Sequence, residues 1–291
     1  MLTPELLRKI RRIELRTRRL VQDSFAGEYL SVFKGQGMEF DEVRPYVAGD
    51  EVRNIDWNVT ARAGEPYVKR YREERELTVL LVVDASASGN FGSVGRFKRE
   101  LAAELTAVLA FAATSNKDKV GLLIFTDEVE LFVEPRKGRK HVLRMVSQLL
   151  SFQPRGRGTD LANALDDVNR SSIIFVISDF LDNPDSYRRA LSVTRRRHDV
   201  IAVDLEDPME REIGDVGLLA LEDAESGEIV WVDSSSKAWR AQFAQQNGRF
   251  ATAKTKLFQR TGVDHIQIST GKDYVNELLR FFARRARRLR R

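Results

Sequence analysis

The loop Asp84-Ala-Ser-Ala-Ser88 sets one carboxylate and two hydroxyls at alternate positions, directly after the apolar run 77–83. All three are hard oxygen donors. A small divalent cation such as Mg2+ or Mn2+ prefers oxygen ligands in an octahedron and keeps some of its water. The loop therefore supplies about half of a metal site. Taken alone, the same residues also make an ordinary turn or helix N-cap, positions that suit Asp and Ser.

Other chemistry is thinner. A magnesium-dependent phosphohydrolase would need a second acid two residues after Asp84, and Ser86 cannot act as an acid or base near neutral pH. His141, His198 and His265 lie on different predicted elements, without metal-ligand spacing and in no recognisable arrangement with a nucleophilic serine. Arg155-Gly-Arg-Gly158 places glycines ahead of a predicted helix, where backbone amides can cradle a phosphate or the loop can approach a metal. The chain has no phosphate-binding P-loop motif, so ATP hydrolysis would have to come from a partner. The residues point to binding and not to catalysis.

The loop is positioned by an alternating pattern. Apolar strand runs are predicted at 77–84, 120–125, 172–178, 200–204 and 263–269, with helical runs between them at 95–115, 139–150, 160–168, 186–196 and 236–261. Continuous apolar strands alternating with amphipathic helices imply an α/β doubly wound, mostly parallel sheet covered on both faces. In such a sheet, ligands bind beyond the carboxyl ends of the strands, where the Asp84 loop lies. Residues 129–133 are expected to add an antiparallel edge strand, and 217–221 with 229–232 a hairpin turning through Glu225-Ser-Gly-Glu228.

Three segments are expected: 1–76, a basic N-terminal helix with an irregular lead-in; 77–271, the main domain with the hairpin inserted near 217–232; and 272–291, a basic C-terminal helix. The first helix is predicted over 3–21, with Thr3 as N-cap and Pro4 at the first position. Glycines 35, 37, 49 and 64 break up the lead-in, which ends in an extended stretch at 67–71. Within it, Trp57 and Arg53 have two readings. They could form a partner contact, or Ile55 and Trp57 could anchor the segment to the sheet while Arg53 pairs with Asp56.

The sequence has no cysteine, which excludes disulfides and thiolate metal sites and fits a reducing, cytoplasmic compartment. The apolar runs 77–83 and 173–177 fall far short of the roughly 20 residues a membrane-spanning helix needs. Charges stand where a signal peptide would have its apolar stretch. Net charge is +5, but residues 1–21 contribute +5 and residues 278–291 contribute +7, which leaves −7 on the body between them. Basic tails around an acidic body would give nucleic acid only a non-specific, salt-sensitive grip. Both tails are amphipathic: on the C-terminal helix from Asp273, Leu278, Phe282, Ala286 and Leu289 share one side, away from Arg280, Arg284, Arg287 and Arg291. Either the apolar stripes pack on the domain, or they insert into an anionic membrane surface as a peripheral anchor.

The Asp-x-Ser-x-Ser loop after an apolar strand resembles the first motif of von Willebrand factor A domains. Gly156-Arg-Gly-Thr-Asp-Leu-Ala-Asn-Ala-Leu165 and Ile177-Ser-Asp-Phe180 follow in the order of that family's second and third motifs. The resemblance implies a metal-ion-dependent adhesion site made of Asp84, Ser86, Ser88, Thr159 and Asp179. In it the hydroxyls would contact the ion directly and the aspartates would act largely through water. Upstream, Gly35-Gln-Gly-Met-Glu-Phe40, Arg44-Pro-Tyr46, Gly49-Asp-Glu-Val-Arg53, Ile55-Asp-Trp57, Ala61-Arg62, Val68-Lys69 and Glu73-Glu-Arg-Glu76 resemble the bacterial domain-of-unknown-function family fifty-eight. That resemblance implies partnership with a MoxR-type AAA+ ATPase in a chaperone-like or complex-assembly role toward a client protein. Many members carry N-terminal membrane helices, and this sequence shows no such run.

The expected function is therefore a metal-dependent protein-binding adaptor, with Arg53, Trp57, Arg155 and Arg157 as partner contacts. A basic-tailed nucleic-acid-binding protein and a magnesium-dependent hydrolase are the alternatives.

Overall fold

The computed structural model describes residues 10–15, 37–74, 77–166, 172–223 and 227–289, with single positions at 8, 29, 32, 33 and 168. For 37–41, 71–74 and 289 it describes the backbone alone. The chain divides into two compact units, Phe33–Leu77 and Met1–Val32 with Thr78–Arg291.

In the smaller unit, β1 (Gly37–Pro45) and β2 (Tyr67–Glu74) form an antiparallel pair running from Gly37 opposite Glu74 to Pro45 opposite Tyr67, with a bulge between Phe40 and Glu42. Between them lies α1 (Trp57–Ala63). Asp56 caps it by accepting from the amides of Asn58 and Val59, and Gly64 ends it at φ 79°. The hydropathy pattern predicts irregular chain before 67. Strand β1 is missed because charges pair across it, as Glu42 does with the opposing Arg70 at 3.2 Å, and the bulge between Phe40 and Glu42 breaks the alternation of Met38, Phe40 and Val43.

The larger unit runs β3 (Thr78–Asp84), α2 (Lys98–Ser115), β4 (Lys119–Phe125), β5 (Val129–Arg136), α3 (Arg139–Leu150), α4 (Leu161–Asp166), β6 (Ile173–Ser178), α5 (Pro184–Arg197), β7 (Asp199–Glu206) and α6 (Pro208–Arg211). It continues through β8 (Leu218–Glu222), β9 (Ile229–Asp233), α7 (Lys237–Thr261), β10 (Asp264–Ser269) and α8 (Tyr274–Leu289). The six-stranded sheet has the order β10-β7-β6-β3-β4-β5, parallel throughout except for β5, which turns back against β4. The expected doubly wound α/β architecture is what the chain adopts. Strands β8 and β9 form a separate antiparallel hairpin whose turn at 224–226 lies outside the described residues.

Alternation along the strands builds a core on each face of the sheet. Leu80 and Val82 of β3, with Ile174 and Val176 of β6, meet Leu161 of α4, Tyr187 and Leu191 of α5 and Phe258 of α7. Helix α2 is buried on most of its circumference, which its alanine-rich sequence permits, and packs on the sheet and on α3.

Helix α8 buries its apolar side: Leu278, Phe281, Phe282 and Ala286 are all buried. Arg285, also buried, reaches Asp264 at 2.6 Å and Asp199. Of the two expectations for this helix, packing on the domain is the one seen, with Arg280, Arg284 and Arg287 exposed. Leu289's side chain and Arg291 lie outside the described residues, as does most of the 3–21 helix with Thr3 and Pro4. Its residues 10–15 are helical, with Ile10 and Ile13 buried. Among the described residues, no helix is long and apolar enough to cross a membrane.

Candidate metal centre

Strand β3 sits in the middle of the sheet between β6 and β4, so the residues that end it emerge where the chain winds outward in both directions. Asp84 is its last residue, and Ser86 begins a 3-10 turn over Ala87–Asn90. The amide of Ser86 donates to Asp84 Oδ1 at 2.9 Å, which folds the loop back on its own carboxylate. The hydroxyls of Ser86 and Ser88 then lie 3.0 Å apart.

The second loop comes from 155–160. The amide of Ala87 donates to the carbonyl of Arg157 at 2.9 Å, and Thr159 Oγ1 donates to Asp84 Oδ2 at 2.8 Å. The third contribution is the end of β6, where Ser178 Oγ donates to the same Asp84 oxygen at 2.7 Å. Asp179 follows it, 7% exposed. Sequence positions 75 and 94 residues from Asp84 thus converge on one carboxylate. Burial, and then the neighbouring charge of Asp179, hold the Asp84 carboxyl above its ordinary pKa despite these hydrogen bonds.

Three residues that no sequence motif marks as site residues complete the surroundings. Ser178 is one. Lys98, at the first position of α2 and 1% exposed, places Nζ 2.5 Å from Asp179 Oδ2 and also on Glu210 of α6. Burial lowers its pKa, but the two carboxylates outweigh that and the net shift is upward. Lys254 of α7 donates to the carbonyl of Asp179 at 2.9 Å and to Asp204 Oδ1 at 2.6 Å, while His265 Nε2 lies 3.1 Å from Asp204 Oδ2. The Asp179 carbonyl is thereby fixed just before Phe180, whose φ of 50° is left-handed, and the Phe180 amide donates to Ser178 Oγ at 3.0 Å. Lysines in helices read as solvated faces in a sequence. One signal was available: a cation in the first turn of α2 opposes the helix dipole and needs another reason to be there.

The glycines of the second loop serve a closer purpose than either sequence reading gave them. A Cβ on Gly156 would lie 2.4 Å from Thr126 Oγ1, and one on Gly158 would lie 2.2 Å from Asp127 Oδ1. Their amides are taken, Gly156 by Glu130 at 3.1 Å and Gly158 by Asp127 at 3.3 Å, so they are not free to cradle a phosphate. Glu130 also accepts from Thr126 Oγ1 and the Arg155 amide. Burial would raise its pKa, but these bonds win and lower it.

The partner-contact residues separate. Arg155 pairs with Glu128 at 3.2 Å and Glu130 at 3.4 Å. Arg157 is exposed, and a Cβ on Gly227, beyond the β8–β9 turn, would lie 3.5 Å from its Nη1. In the smaller unit, Ile55 bridges Val68, but Trp57 is 66% exposed and Asp56 pairs with Lys69 at 3.5 Å, not with Arg53. Trp57 as a buried anchor and an Arg53–Asp56 pair are thus both corrected. Asp56 is spent on capping α1, and the first helical residue points outward. His141 binds the Val120 carbonyl at 2.8 Å and His198 is buried at the end of α5, both apart from this centre.

Uncharacterized proteins of Mycobacterium tuberculosis and Mycobacterium bovis are 34% identical over 290 residues, covering 98% of this chain and 91% of theirs. Similar solved structures include the hypothetical protein BatB of Bacteroides thetaiotaomicron, at 15% identity and TM-score 0.46 over 72% of this chain and 99% of that one. An aerotolerance-related membrane protein of Bacteroides fragilis gives 16% and 0.48 over 73% and 99%, and the SpRpn10 VWA domain 10% and 0.38 over 70% and 94%. The family model described as "Protein of unknown function DUF58" matches residues 42–253, and the chain belongs to that family.

Proposed function

We propose that the chain is a protein-binding adaptor whose docking site is a divalent-cation centre on Asp84, Ser86, Ser88, Thr159 and Asp179, serving a MoxR-type AAA+ ATPase and, through it, a client. The observation that carries this reading is the convergence of five oxygen-bearing side chains from three separate loops at the carboxyl end of the central strand. The set fits Mg2+ or Mn2+: two carboxylates and three hydroxyls, with no thiolate or imidazole among them. When bound, such an ion supplies residual positive charge and an open coordination position for a partner's carboxylate.

The protein's own residues preset the arrangement. Asp84 is held by bonds from Ser86, Thr159 and Ser178, and Asp179 by Lys98 and Lys254. Between them, a cavity leaves about 10 Å³ for the centre of a water-sized sphere, lined by Asp84, Ser86, Ser88, Lys98, Ser178 and Asp179. That is on the order of one water or ion. Ser86 and Ser88 bond to each other, and no histidine among the described residues is bonded to either, which suits binding better than nucleophilic catalysis.

The hairpin, whose Gly227 comes near the Arg157 guanidinium, offers apolar contact area. Leu218, Ile229 and Trp231 are 67%, 56% and 66% exposed, and the strand register puts them on one face. The test is capture of the purified ATPase of the same organism by the full chain, in Mg2+ and in EDTA. Capture should need Mg2+ and weaken in Ser86→Ala, Thr159→Ala and Trp231→Ser. Equal capture in EDTA would place the docking surface elsewhere. A second reading, peripheral contact with an anionic membrane, draws on the exposed Arg280, Arg284 and Arg287 of α8. With the apolar side of that helix buried, it is a contact of charge alone.

A further inference from the structure

We infer that Lys98 is a resident counter-cation that contends with the divalent ion for Asp179, so that the protein's own ammonium group restrains metal binding at this centre. The inference rests on the metal reading above.

An ammonium group is costly to bury and persists only with partners. Lys98 is 1% exposed, and its Nζ is shared between Asp179 and Glu210. The first is one of the five donors. The second has a fixed place of its own: Glu210 Oε2 accepts from the Asp207 amide at 2.9 Å in the capping box of α6. Asp207 is in turn fully buried, accepting from the Ser93 amide at 2.8 Å and Thr270 Oγ1 at 2.7 Å. Glu210 is therefore built in as a second seat for the ammonium.

Geometry makes the contention direct. Lys98 lines the same small cavity as Asp84, Ser86, Ser88 and Asp179, so an ion among those oxygens shares a poorly screened space with Nζ. Without an ion, Lys98 offsets the repulsion between Asp84 and Asp179, and the fold does not depend on metal. With one, Asp179 has two cations to serve and Lys98 keeps Glu210. The consequence is a weakly held, exchangeable ion, suited to reversible docking.

Two full-chain variants separate this from a merely structural role. Lys98→Met keeps the length of the side chain and removes the charge. Glu210→Gln leaves the ammonium to Asp179 alone. Mn2+ affinity is read by calorimetry, and melting temperature in EDTA and in Mn2+. Lys98→Met should bind Mn2+ at least about tenfold more tightly than wild type, a modest share of the repulsion expected at this range. It should melt lower in EDTA and gain more from Mn2+ than wild type does. Glu210→Gln should bind Mn2+ more weakly than wild type.

Wild type that binds Mn2+ with Lys98→Met no tighter would overturn the inference and leave the metal reading standing. Mn2+ binding in Lys98→Met but not in wild type would uphold the inference while removing metal-dependent docking. Binding in neither would remove both. Should Lys98→Met fail to fold, Glu210→Gln decides: weaker binding upholds the inference, and equal or tighter binding overturns it.

Discussion

Lys254→Met tests how the long helix α7 supports the centre. The substitution keeps most of the side chain's stem and removes an ammonium that is 2.6 Å from Asp204 and 2.9 Å from the carbonyl of Asp179. Asp204 is 0% exposed and would be left with His265 at 3.1 Å. Stripping one partner from a buried ion pair costs about 3–5 kcal/mol, and the remaining imidazole puts this case near about 3. The lost bond to the Asp179 carbonyl adds about 1 kcal/mol. Together these lower the melting temperature by roughly 8 °C, at about 2 °C per kcal/mol for a unit of this size. Thermal melts and urea titrations of the full chain measure it, with Lys254→Met/Asp204→Asn as the internal control. Neutralising the stranded carboxylate should recover about half of the loss, because most of the cost is the unpaired charge and not the missing attraction. A loss below about 1 kcal/mol, or a double variant as unstable as the sum of its parts, would refute the reasoning.

Three further outcomes follow from the same geometry. The folded-state pKa of Asp84 lies above its ordinary 3.8, raised first by burial and then by Asp179, so its charged form costs stability above that folded pKa, and the cost disappears as pH falls below 3.8. Asp84→Asn in EDTA should accordingly raise the melting temperature at pH 7 by a few degrees and lose that gain near pH 3.5; no gain at pH 7 would count against it. Glu130→Ala frees the amides of Arg155 and Gly156 and the Thr126 hydroxyl, and should weaken Mn2+ binding although Glu130 is not a proposed ligand. Charge reversal of Arg280, Arg284 and Arg287 should abolish co-sedimentation of the full chain with anionic vesicles at low salt, binding that in wild type falls steeply as salt is added. Equal sedimentation of the two would sink the membrane contact.

The sheet and its order of elements were legible because the inner parallel strands are buried on both faces and read as continuous apolar runs, as β3 and β6 do. The Asp84 loop was legible for a local reason, its donors being two residues apart at a strand end. Thr159 and Asp179 entered only by resemblance, since nothing local says that they lie across from Asp84. The charged residues behind the centre escaped altogether. Lys98, Lys254, Asp204 and Glu210 are scattered between positions 98 and 254 of the sequence, and only the fold makes them neighbours. Strand β1 was hidden by its charge, and Trp57 stayed open between anchor and partner contact because only the fold shows the cap at Asp56 and the exposure of the first helical residue after it.

Calorimetric titration of the full chain with Mn2+, beside Asp84→Ala, reaches the central claim most directly. The account predicts one ion per chain for the wild type and none for the variant, which should stay folded because removing Asp84 relieves its repulsion with Asp179. Unchanged Mn2+ affinity in a folded Asp84→Ala protein would contradict it.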